Sequence, residues 1–327
     1  MRRILALVTA AALLAGCSET PSPTGSGDYH PEPILKDAVI PDYDLSRDGK
    51  SYWDSTYVKP YDEVAERLDD NGILVNMYQD QRVYHPVNYV WYLQNVINAY
   101  ANTGDERYLK IAVDNTEYLL AGSFYDLSGA RWFPYLFEHA PGGIDMGVPW
   151  VSGMAQGMML SLLTRMYEIT DDKGYLDRAA ETLKIFDVPA YEQTFWFSNL
   201  IDCPETKGQC LVLEEYPSRK PEQNAHVING HMYSMFGLYD YYRATGDEHA
   251  KELFNAAAET QRQLFDSYRR PGEPSWYAAT EYGREVWKAP ENYHEGVTVE
   301  LRKLAEYTGD EEFTRQADLL SEDFGGR

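Results

Sequence analysis

The ionisable residues with the clearest chemical potential lie in one stretch, residues 213–240. The stretch opens with Glu214 and Glu215, followed at once by Tyr216 and Pro217. Two carboxylates can supply the acid and the base of a hydrolytic reaction, although they can equally be a solvated charge pair. Neighbouring side chains in an extended segment point to opposite faces, and Pro217 favours extended backbone at Tyr216. We therefore expect only one carboxylate of the pair to face a given cleft.

Two histidines follow in the same stretch. His226 and His231 are five residues apart, a spacing that does not match the His-Glu-x-x-His zinc motif. We therefore predict no metal site and no cofactor. Asn229-Gly230 precedes a helical pattern, and a glycine there allows the backbone to approach another group closely.

A fourfold repeat predicts the elements that hold this stretch in place. The repeated unit is a threonine, then glycine or aspartate in a turn, then an aspartate that caps the next helix. Its threonines, Thr103, Thr170, Thr245 and Thr308, are separated by 67, 75 and 63 residues. Each interval has room for two helices and a loop. The repeat therefore predicts an all-α fold, an (α/α) toroid built from helical hairpins, with short β-hairpins in its loops.

Long loops separate the repeats at residues 121–149, 187–225 and 269–298. Long loops within a compact domain usually carry function, and in a toroid they would gather at one end. They are rich in aromatic residues, for example Trp132 and Tyr277. Aromatic rings pack on the apolar faces of sugars, while tyrosine hydroxyls bond to sugar oxygens. We therefore expect a carbohydrate site at the loop end.

The N-terminus has the features of a bacterial lipoprotein leader. Arginines at positions 2 and 3 precede an apolar run, and residues 14–17 (Leu-Ala-Gly-Cys) resemble a lipoprotein box. We predict a signal peptide over residues 1–16, a flexible tether over 17–32 and a single toroid over 33–327. Lipid on Cys17 would anchor the protein on the extracytoplasmic side of a bacterial cell membrane.

Charge and cysteine content narrow the function further. A formal net charge of −23 excludes nucleic acid as a natural partner and disfavours a heavily sulfated polymer. Cys203 and Cys210 lie close in sequence, and outside the cytoplasm we expect them to form a disulfide.

Several segments resemble the C-terminal domain of D-glucuronyl C5-epimerases. Residues 214–218 resemble the family's Glu-Glu-Tyr-Pro motif, residues 226–230 its Asn-Gly run, and residues 232–240 its Tyr-Ser-x-x-Gly-Leu-Tyr-Asp motif. Residues 148–157 are similar to its Trp…Ser-Met-x-Gln-Gly helix start. The resemblance extends over roughly residues 85–310.

The resemblance implies both a reaction and the residues that perform it. The family inverts C5 of glucuronic acid in a heparosan-type polysaccharide and so forms iduronic acid. Its catalytic positions fall on Glu215, Tyr216, Tyr277 and Tyr293. We interpret Glu215 as one base and Tyr293 as the partner on the opposite face, because inversion needs a proton-transfer group on each side of the ring. Tyr216 and Tyr277 would hydrogen-bond the carboxylate and the developing enolate.

Substrate binding is where the chain departs from the family. After Tyr277 the family carries an arginine that helps hold the uronate carboxylate, whereas this chain continues Ala-Ala-Thr-Glu. Arg284 or Lys288 would have to substitute for that arginine. The residues that we predict to bind the substrate are Arg131, Trp132, Trp150, Gln156, Asn229, His294 and Lys288.

Three other functions fit the same residues. A polysaccharide lyase shares the first proton abstraction, a glycoside hydrolase would use Glu214 or Glu215 as its acid, and a surface lipoprotein could bind glycans without catalysis. The predicted partners are a glucuronate-containing polysaccharide and, through the lipid, a membrane. Related enzymes imply a homodimer, but the residues leave the oligomeric state open.

Overall fold

The computed structural model describes residues 34–289 and 291–325. Its α-helices, in chain order, are α1 (Tyr61–Ala65), α2 (Pro86–Thr103), α3 (Glu106–Ala121), α4 (Gly153–Thr170), α5 (Lys173–Leu183), α6 (Ile228–Thr245), α7 (Glu248–Gln263), α8 (Phe265–Tyr268), α9 (Glu281–Val286), α10 (Glu291–Thr308) and α11 (Glu311–Phe324). Its strands pair as three antiparallel hairpins, β1 (Met77–Tyr78) with β2 (Gln81–Arg82), β3 (Phe124–Tyr125) with β4 (Arg131–Trp132), and β5 (Ser198–Asp202) with β6 (Gln209–Leu213). The predicted leader, tether and Cys17 lie outside the described residues.

The fourfold repeat is the turn that joins each inner helix to the outer helix after it. In all four copies the threonine hydroxyl donates to the carbonyl four residues earlier and accepts from the aspartate N–H two residues later. The intervening residue is left-handed, as at Gly104 and Asp171. Each aspartate then caps the following helix through its carboxylate. The same short sequence therefore builds four helical hairpins.

The hairpins form two layers of helices. Helices α3, α5, α7 and α11 pack outside α2, α4, α6 and α10 respectively. The inner helices follow one another in an arc, α2 beside α4, α4 beside α6, and α6 beside α10. Residues 153–166 of α4 are buried all round, as expected for a helix enclosed by neighbours. The predicted all-α fold of helical hairpins, with short β-hairpins in the loops, is confirmed.

Two glycines allow α4 and α6 to pack closely. A Cβ at Gly157 would lie 2.3 Å from Cα of Ser234, and one at Gly237 would lie 2.0 Å from the carbonyl oxygen of Gly157. Such distances are incompatible with any larger side chain, because interiors are already packed to crystal density. The Gly-Leu-Tyr-Asp segment of α6 therefore serves helix packing at this contact.

The segment of residues 46–54 connects the two ends of the arc. The carbonyl of Trp53 accepts from Nδ2 of Asn98 on α2 at 2.8 Å. The carbonyl of Lys50 accepts from the hydroxyl of Tyr307 on α10 at 2.9 Å. Tyr52 stacks on Phe236 of α6, with ring centroids 4.2 Å apart. A non-helical segment thus completes the inner wall.

The inner helices α4, α6 and α10 begin at one end, where the long loops also meet. The N–H of Gly153 donates to the carbonyl of Glu214, and the N–H of Ile228 donates to the carbonyl of Tyr277. The loops are therefore tied to the helix starts, at the end where the sequence predicts the site. Within the described residues, no helix combines the length and the apolar character needed to cross a membrane.

Candidate active site

The β5–β6 hairpin delivers the two adjacent carboxylates to the start of α4. Cys203 and Cys210 form a disulfide across this hairpin. The N–H of Leu213 donates to Nδ1 of His231, whose Nε2–H donates to the carbonyl of Ala257. Both ring nitrogens of His231 are therefore occupied by structural hydrogen bonds. Burial lowers its pKa to about 4, so it stays neutral at physiological pH.

Glu214 is buried between His226 and Asn199 of β5. Its carboxylate lies 2.6 Å from Nδ1 of His226 and also accepts from the backbone N–H of His226 and from Nδ2 of Asn199. His226 has a positive φ of 53°, which directs its side chain back to this carboxylate. Glu214 is fully satisfied by these bonds, so its role in the structure is to hold the loop at His226.

Glu215 turns in the opposite direction and is also buried. Its Oε2 has no hydrogen-bond partner among the described residues. Burial raises the pKa of the carboxyl to about 7, and interactions with the hydroxyls of Tyr216 and Tyr277 offset part of that shift. The alternation of an extended segment thus separates a satisfied carboxylate from an unsatisfied one, and neither is a solvated charge.

Gly230 forms the floor beneath the Glu215 carboxyl. A Cβ at this position would lie 2.4 Å from Oε2 and 2.5 Å from Cβ of Glu215. The close approach expected at Asn229-Gly230 is therefore an approach to the unsatisfied carboxyl. Only glycine allows the first turn of α6 to lie against it.

Replacement of Gly230 by alanine is expected to lower the free energy of unfolding by about 1–3 kcal/mol, because the new methyl group overpacks the site. Gly296→Ala on α10 is the matched control. Its Cβ would meet its nearest neighbouring atom at 3.9 Å, so it should gain up to about 1 kcal/mol of helix propensity. Chemical denaturation of both variants measures the difference. Equal effects at the two glycines would contradict the packing described for Gly230.

Three tyrosines surround Glu215. Burial raises the pKa values of Tyr216, Tyr277 and Tyr293 well above 10, so all three are neutral phenols at physiological pH. The hydroxyl of Tyr293 donates to the carbonyl of Tyr277 at 2.9 Å and accepts from the N–H of Asn229 at 3.1 Å. Tyr293 therefore ties α10 to the start of α6 while it lies in the same cluster as Glu215.

An aromatic wall covers the cluster. Trp150 stacks on Tyr135 with ring centroids 3.9 Å apart, and its ring lies 6.3 Å from that of Tyr216. Trp287 lies 5.7 Å from the ring of Tyr216 and 5.2 Å from the ring of Tyr277. The wall excludes water, which explains the raised pKa of Glu215.

Glu300 is a second buried carboxyl, which the sequence interpretation missed. It is 2% exposed, and its Oε2 has no hydrogen-bond partner among the described residues. Burial raises its pKa to about 8, with a further contribution from the charge of Glu215, while Tyr233 offsets part of the shift. Glu300 follows Tyr293 by two helical turns, so both lie on one face of α10. The two-turn spacing between Tyr293 and Glu300 was the sequence signal that could have identified Glu300.

Replacement of Glu300 by glutamine is expected to stabilise the fold. The folded-state pKa is about 8 against an ordinary 4.5, so the folded state holds its proton where the unfolded chain has lost it. Stability is therefore lost as pH rises from 4.5 to 8, and the loss reaches about 3 kcal/mol at pH 7. Glu300→Gln should recover this lost stability near pH 7 and should gain little stability near pH 4.5. Thermal unfolding across this range, with the exposed Glu295→Gln as control, checks the sign; a Glu300→Gln variant that is less stable at pH 7 contradicts it.

Comparison with known sequences places the chain in a family. The sequence model described as the D-glucuronyl C5-epimerase C-terminus matches residues 127–321, more than half of the chain. The chain belongs to this family.

Two relatives show how far the C5-epimerase similarity extends. The D-glucuronyl C5-epimerase of Caenorhabditis elegans is 31% identical over 134 residues, which are 36% of this chain and 20% of that protein. The uncharacterised protein MJ1128 of Methanocaldococcus jannaschii is 26% identical over 215 residues, 63% of this chain and 64% of that protein. The chain thus spans only part of the length of each relative.

Solved structures share the fold of this C5-epimerase family member at low sequence identity. A cellobiose 2-epimerase from Bacillus thermoamylovorans B4167 aligns with a TM-score of 0.55 and 15% identity, covering 82% of this chain and 69% of that one. A D-mannose isomerase aligns with a TM-score of 0.53 and 13% identity, covering 78% and 63%. These similarities show the arrangement of helical hairpins.

Four of the residues predicted to bind substrate make internal contacts. Arg131 pairs with Glu181 of α5 at 2.9 Å. Trp132 is fully buried and donates to Asp126. Gln156 exchanges two hydrogen bonds with the backbone of Phe133, and His294 uses both ring nitrogens on Ser275 and Leu320. Their positions do not support substrate contacts in this C5-epimerase domain.

The other three predicted binding residues lie beside the cluster. Trp150 belongs to the aromatic wall, and Asn229 has a buried Oδ1 without a hydrogen-bond partner among the described residues. Lys288 is exposed and follows Trp287 directly. Within the described residues no three His, Cys, Asp or Glu side chains converge as a metal site.

Proposed function

We propose that this protein inverts C5 of glucuronic acid residues in a polysaccharide by removing a proton from one face and returning one to the other. The observation that carries the proposal is Glu215, a buried carboxyl with an unsatisfied oxygen inside a cluster of tyrosines. Membership of the C5-epimerase family supports the choice of reaction.

Glu215 has the properties of a general base. The C5 hydrogen of a uronate is a weak acid because it lies α to a carboxylate. A base works best when its pKa is near the operating pH, and burial raises the pKa of Glu215 to about 7. Its free Oε2 needs no protein hydrogen bond to break before it accepts a proton.

Tyrosines would supply the remaining groups. Tyr293 is a neutral phenol, so it can donate a proton to the opposite face once its hydroxyl leaves the carbonyl of Tyr277. Tyr216 and Tyr277 interact with the Glu215 carboxyl and would bind the substrate carboxylate as charge develops on it. Lys288 has no ion-pair partner among the described residues, and we propose it as the cation that approaches the uronate.

We propose an unsulfated or weakly sulfated heparosan-type polymer as substrate, since the net charge of −23 repels dense anions. We also propose anchoring to the outside of a bacterial membrane through Cys17, and a homodimer as the assembly.

Product analysis separates the proposal from its alternatives. N-deacetylated heparosan is incubated with the protein in deuterated water and followed by NMR. Deuterium at C5, iduronate signals and intact chain length support inversion. Absorbance of a C4–C5 double bond would instead identify a lyase, new reducing ends would identify a hydrolase, and unchanged polymer across several glucuronate glycans would leave a binding protein.

A further inference from the structure

A cavity of about 220 Å³ lies on α2, apart from the cluster around Glu215. It is lined by Lys59, Val64, Arg67, Asn88, Trp91, Tyr92 and Asn95. These lining residues include two cations and no carboxylate, although the chain as a whole carries a net charge of −23. By contrast, the cleft beside His226 is lined by three glutamates. The cavity is therefore suited to an anion.

The two cations are available to a ligand. Neither Lys59 nor Arg67 forms an ion pair with a carboxylate in the described part of the chain. Arg67 lies over the ring of Tyr92, 5.1 Å from its centroid. The hydroxyl of Tyr92 donates to the carbonyl of Val64, and the hydroxyl of Tyr108 donates to the carbonyl of Lys59. Both cations are thus carried on backbone that the core holds in place.

Trp91 gives the cavity a flat apolar wall. It is 42% exposed, unusually high for a tryptophan on an inner helix. Its ring is fixed edge-on by Trp53 at 5.1 Å and by Tyr233 at 5.2 Å. A rigid exposed indole is a surface on which the apolar face of a sugar ring packs, and the side-chain amides of Asn88 and Asn95 can bond hydroxyls.

We propose that this cavity binds an anionic sugar residue, a uronate whose carboxylate pairs with Lys59 and Arg67 and whose ring packs on Trp91. The volume is below the roughly 300–1,000 Å³ of pockets that enclose drug-sized ligands, so it accommodates one ring. Tyr233 contacts Trp91 and interacts with Glu300, and Glu300 in turn interacts with Glu215, so two side chains connect the cavity to the cluster around Glu215. The identity of the ligand as part of the substrate polymer rests on the proposed function.

The test uses the full-length protein labelled with ¹⁵N in its seven tryptophan indoles. The Trp91 signal is assigned with Trp91→Phe, and sodium D-glucuronate is titrated against D-glucose. Glucuronate is expected to shift the Trp91 signal and to bind at least tenfold more tightly than glucose, because charged hydrogen bonds contribute most of the difference. Added salt should weaken the binding of glucuronate.

Paired charge variants test whether Lys59 and Arg67 bind the glucuronate carboxylate. Lys59→Ala/Arg67→Ala should lower glucuronate affinity by roughly tenfold or more, and Lys59→Arg/Arg67→Lys should retain it. Lys173→Ala/Lys184→Ala removes the same charge from exposed positions on α5 and at its end, and should leave binding unchanged. An unshifted Trp91 signal, equal binding of glucose, or full affinity in the double alanine variant would overturn the proposal.

Failure of the proposed reaction can be distinguished from failure of the proposed sugar site at Trp91. Glu215→Gln should leave the Trp91 titration unchanged. If glucuronate binds at Trp91 but no deuterium enters C5, the sugar site stands and the proposed reaction falls.

Discussion

Glu215→Gln is expected to lower deuterium incorporation at C5 of glucuronate residues at least about a hundredfold, the usual contribution of a positioned base. Glutamine keeps the shape of the side chain but cannot accept the proton. Because a buried carboxyl with a pKa near 7 opposes folding above its ordinary pKa of 4.5, the variant should also be more stable at pH 7.5, by about 3 kcal/mol. Loss of activity with retained or raised thermal stability would thus exclude unfolding as its cause.

Glu214→Gln is the matched comparison, since its carboxyl is equally buried and adjacent in sequence. It should keep C5 exchange within about tenfold and instead lower stability by about 1–3 kcal/mol, because Glu214 accepts hydrogen bonds from His226 and Asn199. The reverse pattern, with exchange lost at Glu214 and retained at Glu215, would refute the assignment.

Tyr293→Phe is expected to lower inversion at least about a hundredfold while sparing exchange. In the proposed mechanism Glu215 still removes the C5 proton of glucuronate. After its carboxyl has exchanged that proton with the deuterated solvent, it returns deuterium to the same face. The variant should therefore form deuterated glucuronate with little iduronate. NMR of one reaction mixture gives both quantities, and their ratio separates loss of the second proton donor from general damage.

Tyr282→Phe is the control for that experiment. The hydroxyl of Tyr282 also donates to a backbone carbonyl, that of Gly142, at 2.9 Å. Loss of the Tyr282 hydroxyl should change the rates of exchange and inversion only slightly and by the same factor. If Tyr293→Phe inverts C5 at the parent rate, Tyr293 is a structural tie between α10 and α6 only.

The hairpin repeat was predictable because its chemistry is local. A threonine, a residue tolerant of left-handed backbone and a capping aspartate specify each turn within about four residues. The placement of segment 46–54 between α2 and α10 was not predictable, since it depends on contacts of Trp53 and Tyr307 with partners far along the chain.

The candidate site was likewise predictable from the sequence only in part. Alternation in an extended segment correctly separated Glu214 from Glu215, and the glycine signal at Gly230 pointed to a close contact. Residue type alone could not tell that Arg131 pairs with Glu181, because long-range ion pairs leave no local pattern. Glu300 was overlooked because one carboxylate in a helix is usually solvated, and only the surrounding tyrosines make it exceptional.

The pH dependence of deuterium entry at C5, measured with the unmodified protein, tests directly whether Glu215 is the base. Exchange is expected to rise with pH along a limb with an apparent pKa of about 7, as the buried Glu215 loses its proton and becomes the base. Exchange that is flat from pH 5.5 to 8, or that keeps this limb in Glu215→Gln, would contradict it.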